Sequence, residues 1–388
     1  MISITGSFLK AEWIFIIQIQ LEIIALYLPQ FHTFKENDQW WGKGFTEWTN
    51  VGKAKSYFKG HDQPRVPTEL GYYNLKDPLV REAQAQLAEE AGVTGFMYWH
   101  YWFGNGKRLM GDIFDDVLES GQPDFPFCLG WANHSWYSKQ WNSDGTSTNK
   151  LLMEQTYPGE EDIKAHFDFL LKAFQDKRYI KVGKKPLLVI YDPVSLPKEY
   201  LDRFQQMSKE AGFDGIFTVC YLGRPEMNKD EFIAKGFDMV MYQRLDKELS
   251  PMLKKMGKIG KIVKHARKYL HAATHGVTPY AMDYKEVYRN FITEKERDND
   301  VAPMIIPQWD HSPRSGRNGM ILYNSEPEYF CRHALDAFDA VKDKPSDRQI
   351  IFLKSWNEWG EGNYMEPDLT HGRGFIEALR HAVDKLKQ

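Results

Sequence analysis

The sequence predicts an α/β fold, a single (β/α)8 TIM-type barrel with long loops on its C-terminal face. Three observations predict it: eight short apolar runs spread along 388 residues, helical periodicity between them, and an aromatic content of 14% whose indoles cluster just after the runs. Parallel strands buried on both faces read as near-continuous hydrophobic stretches and need helical crossovers, and eight such units close a barrel.

The runs are rich in β-branched and aromatic residues, too short for helices, and bounded by Pro, Gly, Asp or Asn. They cover residues 23–28, 94–99, 126–131, 186–191, 215–220, 237–242, 303–309 and 349–356. Segments 78–90, 160–174, 198–210, 285–296, 326–341 and 374–386 carry the 3.6-residue period and good helix formers. A doubly wound open sheet is the competing architecture, but no G-x-G-x-x-G follows the first run, where such a sheet would cradle a phosphate. No internal repeat, low-complexity tract or linker divides the chain, so residues 21–388 read as one barrel catalytic domain. Residues 1–20 read as an N-terminal extension: an extra strand, a loosely attached segment or a non-native upstream start. Their apolar run around Trp13 is broken by Gln and Glu and precedes no small-residue cleavage site, which argues against a leader peptide. It is also too short and polar to span a bilayer, so a cytoplasmic protein without a membrane span is expected.

Fifty basic and 53 acidic residues leave a formal charge of -3, so no long-range field favours nucleic acid. Cys128, Cys220 and Cys331 are far apart and lack zinc-ligand spacing; they read as small hydrophobes in a reducing compartment. No metal and no cofactor is expected.

Barrels of this kind place their chemistry at the C-terminal ends of the strands. Eleven of the 12 tryptophans fall there: Trp40, Trp41 and Trp48 after the first run, Trp99 and Trp102 at the second, Trp131, Trp136 and Trp141 at the third, Trp309 at the seventh, and Trp356 and Trp359 at the eighth. A bowl of indoles suits an oligo- or polysaccharide, because the C–H faces of a pyranose pack on flat apolar surfaces while its hydroxyls need polar partners. Gln30, His32, His100, Asn133, Asp192, Gln243, Gln308 and Asp310 supply such partners at strand ends. The competing reading for single rings, above all Trp131 and Trp356, is that they close the top of the core.

The sharpest local signal is Ser355-Trp356-Asn357-Glu358-Trp359-Gly360-Glu361-Gly362. Two carboxyls three residues apart on a turn leaving a strand can point into one pocket, and glycoside hydrolysis needs one acid held protonated and one ionised. From spacing alone, Glu358 could equally hold the loop and Glu361 face solvent. Glu47 could face the bowl or anchor the first loop. Asp310 with Arg314 and Arg317 could grip a charged sugar or form a surface ion pair.

The motifs Ala25-Leu26-Tyr27-Leu28-Pro29-Gln30-Phe31-His32, Trp40-Trp41-Gly42-Lys43-Gly44-Phe45-Thr46-Glu47-Trp48-Thr49-Asn50, Tyr98-Trp99-His100-Tyr101-Trp102-Phe103, Trp131-Ala132-Asn133 and the Glu358/Glu361 stretch stand in one order along the chain. In this the sequence resembles the WbsX-like family, often described as glycoside hydrolase family 99-like proteins. The resemblance implies a retaining, endo-acting glycosidase of an α-linked, mannan-like or bacterial surface polysaccharide, with Glu358 as general base and Glu361 as general acid and base. It also implies a sugar-epoxide route without metal or cofactor. The substrate-binding residues expected around that pair are Tyr27, Gln30, His32, Trp41, Glu47, Trp48, Trp99, His100, Trp102, Trp131, Asn133, Tyr191, Trp309, Asp310, Arg314, Trp356, Asn357 and Trp359. One departure is His134, where relatives commonly carry Glu; it reads as a sugar partner or a loop hydrogen-bonder.

Two other functions compete. Members of the family are often named glycosyltransferases and associated with O-antigen or surface polysaccharide assembly. Asp298-Asn299-Asp300 has the D-x-D form a metal-assisted transferase would use, but it precedes the seventh run and so belongs to the bottom face. A non-catalytic carbohydrate-binding barrel would need the indoles but not both acids.

Overall fold

The computed structural model describes residues 21–141, 147–224, 227–243, 245 and 257–386. The expected extension over residues 1–20, and with it Trp13, lies outside the described residues.

Eight parallel strands form the barrel: β1 (Glu22–Tyr27), β2 (Gly95–Trp102), β3 (Phe127–Trp131), β4 (Lys185–Ile190), β5 (Phe217–Leu222), β6 (Met239–Tyr242), β7 (Met304–Ile305) and β8 (Ile350–Leu353). Each pairs with its sequence neighbour from β1 to β6, and β8 pairs with both β7 and β1. The remaining seam, between β6 and β7, is joined by a parallel bridge at Val240 and Val301, with the Val240 amide donating to the Asp300 carbonyl at 2.8 Å and the Ala302 amide to the Val240 carbonyl at 2.8 Å. The strands are almost wholly buried, as two-sided burial of parallel strands requires. Cys128 in β3 and Cys220 in β5 are buried free thiols, and Cys331 is half-buried.

The first strand-to-helix connection is long and folds into two short helices, α1 (Lys35–Trp41) and α2 (Glu47–Gly52), before the crossover helix α3 (Pro78–Ala91). Asp77 caps α3 by accepting from the Leu79 amide, Pro78 occupies its first position, and Gly92 ends it in the left-handed conformation. Crossovers α4 (Gly111–Ser120), α5 (Glu160–Phe174), α6 (Lys198–Glu210) and α7 (Lys229–Ile233) follow β2 to β5, and α8 (Gly257–His275) follows β6. Beyond β7 come a single turn α9 (Ser312–Ser315) and the crossover α10 (Pro327–Val341), and α11 (Gly374–Leu386) closes the chain over the barrel's first helix.

The sequence reading missed the crossovers α4, α7 and α8, the short helices α1, α2 and α9, and a β-hairpin, Trp136–Trp141 with Ser147–Met153, that rises after β3. The expected helix over 285–296 is instead a chain of short turns, Tyr284–Val287, Tyr288–Asn290 and Glu294–Arg297. Its periodic apolar residues, Tyr288 and Phe291 among them, are buried, but the backbone breaks into one α-helical turn, Tyr284–Val287, and two tighter 3-10 turns. Run 349–356 also breaks early: the strand ends at Leu353, and Asn357–Glu358 belongs to a small hairpin.

Candidate active site

The stretch after β8 folds back on itself. Asn357–Glu358 pairs antiparallel with Asn363–Tyr364 across a 3-10 turn, Trp359–Glu361. The Asn357 amide side chain clamps the turn to the end of β1, accepting from the Leu28 amide at 2.8 Å and donating to the Leu28 carbonyl at 3.1 Å. Trp356 and Trp359 point down and are buried; Trp359 stacks on Tyr364 at 3.6 Å and donates to Glu366 Oε2 at 2.6 Å. Glu358 and Glu361 point the other way, into a cavity of about 660 Å³ over the barrel mouth.

Both carboxyls are gripped by one guanidinium. Arg314 on α9 donates through Nη2 to Glu358 at 2.8 Å and through Nη1 to Glu361 at 2.7 Å, and Nη2 also lies 2.9 Å from Glu47 of α2. Three loops, those after β1, β7 and β8, therefore meet at one charge cluster. Gly360 follows from it: a Cβ there would collide with Glu47 Oε2 and stand 3.0 Å from Arg314 Nε, so any larger residue would pry the cluster apart. At Gly362, φ is +54° and a Cβ would come within 2.7 Å of Asp310 Cβ, a second position that only glycine fits without strain.

The two acids differ in environment. Burial, then the charges of Glu361 and Glu47, push Glu358 up to about 8, although Arg314 and Lys354 pull the other way. Burial also acts to raise Glu361, but a hydrogen bond from His311, with Nε2 at 3.5 Å, and the charges of Arg314 and Lys354 outweigh it and hold the group down at about 2. Burial and mutual repulsion thus drive the two proton affinities apart, upward at Glu358 and downward at Glu361, which favours one proton on the pair. Burial opposes the Arg314 charge, yet the three carboxyls reverse that and hold it firmly protonated. Lys354, half-buried in the cavity wall, donates to the Tyr221 hydroxyl at 2.8 Å and lies 4.9 Å over the Trp309 ring; loss of solvent around its ammonium lowers its pKa.

Of the residues expected from sequence, Gln30, Trp41, Glu47, Trp99, Tyr191 and Arg314 line the cavity with Glu358 and Glu361. Strand alternation explains which aromatics join them. Trp99 and Tyr101 share one face of β2 and reach the cavity, whereas His100 and Trp102 share the other. His100 faces His166 at 3.0 Å, and Trp102 stacks on His166 at 4.5 Å while donating to Asp162 at 3.0 Å. Several other expected ligands are likewise committed elsewhere. Tyr27 donates to Gln84 at 2.6 Å inside the core, His32 pairs with Asp112 at 3.0 Å, and Trp48 donates to the Tyr73 carbonyl at 2.7 Å. Trp131 donates to the Trp102 carbonyl at 2.9 Å, and Asn133 ties the Asp192 backbone from both sides. Trp309, Trp356, Asn357 and Trp359 are buried beneath the cavity floor. The indole bowl is consequently a layered structure: Trp41, Trp99 and Trp136 face the space, while most of the other rings close the top of the core. The side chain of Trp141 lies outside the described residues.

The Asp310, Arg314 and Arg317 group does not assemble. Asp310 turns away to His61 at 2.8 Å, Gln63 at 2.6 Å and the Ser312 amide at 2.8 Å, and Arg317 lies 5.9 Å over the Tyr57 ring. Arg314 is neither a surface pair nor a free anion grip, because three carboxyls already occupy it. Asp298 and Asp300 sit on Lys229 Nζ at 3.4 and 2.8 Å beside the start of β7, on the face opposite the cavity. His134 lines the cavity with its Nδ1 unpaired. Sequence reasoning missed Tyr101, Lys354 and the exposed Tyr137 as wall residues. Alternation from Trp99 pointed to Tyr101; nothing in the sequence marked Lys354, whose neighbours come from β5 and the loop after β7.

No helix among the described residues is long and apolar enough to cross a membrane, and no group of three or more His, Cys, Asp or Glu among them could hold a metal ion.

Residues 23–379 match the family model described as Glycosyltransferase WbsX. The chain is 32% identical over 366 residues to the uncharacterized protein WxcX of Xanthomonas campestris pv. campestris, an alignment covering 94% of this chain and 50% of the relative. It thus spans about half the length of the curated relatives it matches. Among solved structures, a GH99 endo-alpha-mannosidase from Bacteroides thetaiotaomicron, in complex with BIS-TRIS-Propane, superposes with a TM-score of 0.56 at 14% identity, covering 94% of this chain and 97% of that one. A glycoside hydrolase-like protein superposes with a TM-score of 0.55 at 13% identity, covering 93% of each. At that identity the likeness speaks for the barrel fold.

Proposed function

The chain belongs to the WbsX glycosyltransferase family, and from the site on its barrel we propose that it is a retaining glycoside hydrolase acting within an α-linked polysaccharide. The substrate class is mannan-like or bacterial surface glycan. The observation that carries the reading is the convergence of Glu358 and Glu361 on Arg314 at the floor of a cavity walled by Trp41, Trp99 and Trp136.

The chemistry needs one proton on two carboxyls, and the contrasting environments of the pair supply it. In the roles the family resemblance implies, Glu358 removes the proton of the sugar hydroxyl beside the anomeric carbon as that oxygen closes an epoxide. Glu361 protonates the departing glycosidic oxygen and then takes a proton from the water that adds to the anomeric carbon as the epoxide's bond to that carbon breaks, while Glu358 returns its proton to the neighbouring oxygen so released. The two environments favour the proton on Glu358, so these roles require it to pass to Glu361 when sugar enters. Displacement of Arg314 from Glu361 by substrate hydroxyls removes the nearest cation and raises the proton affinity of that carboxyl.

Glu358→Gln and Glu361→Gln, assayed for new reducing ends on a panel of bacterial surface, plant and yeast polysaccharides, should each lose at least about 100-fold in rate. On an aryl glycoside whose leaving group needs no protonation, Glu361→Gln should recover most of its first-step rate and Glu358→Gln should not. Recovery by Glu358→Gln alone would exchange the two roles, and full activity of either variant on polymer would remove the mechanism.

The family description favours a second reading, transfer to another sugar. The same pair serves it if a sugar hydroxyl replaces water in the second step. Consumption of a nucleotide-sugar donor without any reducing-end release would decide for that reading.

A further inference from the structure

The carboxylates that line the cavity, Glu47, Glu358 and Glu361, are all matched by Arg314. Lys354 is not matched in this way: among the described residues, no carboxylate stands within ion-pairing distance of it. It follows β8 directly and lines the cavity half-buried. Its ammonium donates to the Tyr221 hydroxyl at 2.8 Å and lies 5.1 Å from the centre of the Tyr221 ring and 4.9 Å from that of Trp309.

An ammonium drawn part-way out of water loses hydration that one hydroxyl and two ring faces restore only in part. A lysine has three N–H donors, and Tyr221 takes one. A methionine of similar length would fill the same wall without that cost, so the charge itself calls for a use.

The surroundings say what kind. Tyr221 stacks on Tyr191 at 5.1 Å, Tyr191 meets the His134 ring at 4.8 Å, and His134 Nδ1 is buried without a hydrogen-bond partner. Lys354 and His134 thus stand at the two ends of one aromatic wall, each facing the cavity. The charges of Glu361 and Glu358 act on Lys354, so it stands beside the acids and not at the outer rim. What complements one ammonium there is a single negative charge on a small group. A phosphate ester carries close to two charges and three oxygens, and calls for several donors or a guanidinium fork. Arg314, the one arginine lining the cavity among the described residues, is already spent on three carboxyls. A sulfate ester likewise brings more oxygens than this wall has donors. A carboxylate fits, and with a net charge of -3 the chain exerts no general pull on polyanions that would account for its capture elsewhere.

We propose that Lys354 determines specificity: its ammonium receives a carboxylate borne by a sugar beside the cleaved bond, so the substrate is an acidic glycan. This rests on the reading of the cavity as a glycosidase site and narrows it.

The test is biolayer interferometry of the full-length chain over immobilised uronate-bearing and pyruvylated polysaccharides. Each is presented in native form, after reduction of its carboxyls to hydroxymethyl groups, and after mild acid that removes pyruvate ketals alone. The wild type should bind at least one native polymer about 10- to 100-fold more tightly than its reduced form, the worth of one charge-assisted hydrogen bond. High salt should shrink that ratio. Lys354→Met should bring it below about threefold with unchanged circular dichroism. Loss of the preference on mild acid assigns the carboxylate to a ketal, and its survival assigns it to a uronate. A wild-type ratio near one on every polymer overturns the proposal whether or not the variant folds. So does a ratio that Lys354→Met leaves intact, or a variant that slows turnover of native and reduced polymer equally while shifting the pH profile, since Lys354 then serves Glu361 alone. Binding is read apart from turnover. Preference for native polymer with no reducing ends released removes the glycosidase reading only, and cleavage confined to neutral polymer removes this one only.

Discussion

Replacing Glu358 by Gln should raise the stability of the protein at alkaline pH while it removes the activity. Folded Glu358 keeps its proton up to about 8, whereas an unfolded glutamate releases it near 4.5. Between those values the folded state binds more protons than the unfolded one, so stability falls as pH rises. At about 1.4 kcal/mol per pH unit, the interval comes to about 5 kcal/mol. Glu361 does not cancel this slope: held at about 2, its contribution is fully present above 4.5 and is lost only as pH falls toward 2. Gln cannot ionise and keeps a carbonyl oxygen for Arg314 Nη2, but it gives up a charge-assisted hydrogen bond of about 1.5–3 kcal/mol. The net gain at pH 8.5 is therefore about 2–3 kcal/mol, or roughly 3–4 °C in melting temperature for a domain of this size. At pH 5 the variant should match or fall slightly below the wild type. Thermal melts of both proteins from pH 5 to pH 9 read this directly, and parallel curves would show that Glu358 is not the group holding the proton.

On whichever polymer is cleaved, kcat/KM should fall about tenfold per pH unit above about 8, because the active pair carries one proton and loses it there; a profile level to pH 10 would contradict the shared proton. Arg314→Met should lower activity by at least about 100-fold and destabilise the fold by about 3–5 kcal/mol at pH 8, with a smaller loss at pH 5, where the carboxyls it pairs can take up protons. Trp41→Ala, at a half-exposed ring on the cavity wall, should raise KM about tenfold with little change in melting temperature. Trp356→Ala, at a fully buried ring, should cost about 3–5 kcal/mol in urea unfolding. Equal stability losses in the two tryptophan variants would refute the layering of the indoles.

The barrel and the place of its mouth were legible because they follow from local signals. Strand runs of the right length, bounded by breakers and alternating with amphipathic segments, specify parallel β/α units wherever they occur. A site at the strand ends then follows from topology. The Glu358/Glu361 stretch stood out as two carboxyls on a turn leaving the last strand, but spacing alone left loop-holding and solvent-facing readings equally open, and only the fold turns both groups into one cavity. The hairpin Trp136–Trp141 with Ser147–Met153 was missed because it forms a separate two-stranded sheet and so lacks the near-continuous apolar run of a barrel strand; helix α8 was passed over although its apolar residues recur at helical spacing.

What the sequence by itself determined is the architecture, the family and the pair of acids at the last strand, all fixed by order and spacing along the chain. Which tryptophans face the cavity, and which carboxyl keeps the proton, only the tertiary structure decided. Trp99 differs from Trp102, and Glu358 from Glu361, through neighbours brought from distant segments: His166 and Asp162 for one, Arg314, His311, Lys354 and Glu47 for the other. Burial and charge act through space, and a linear pattern records neither.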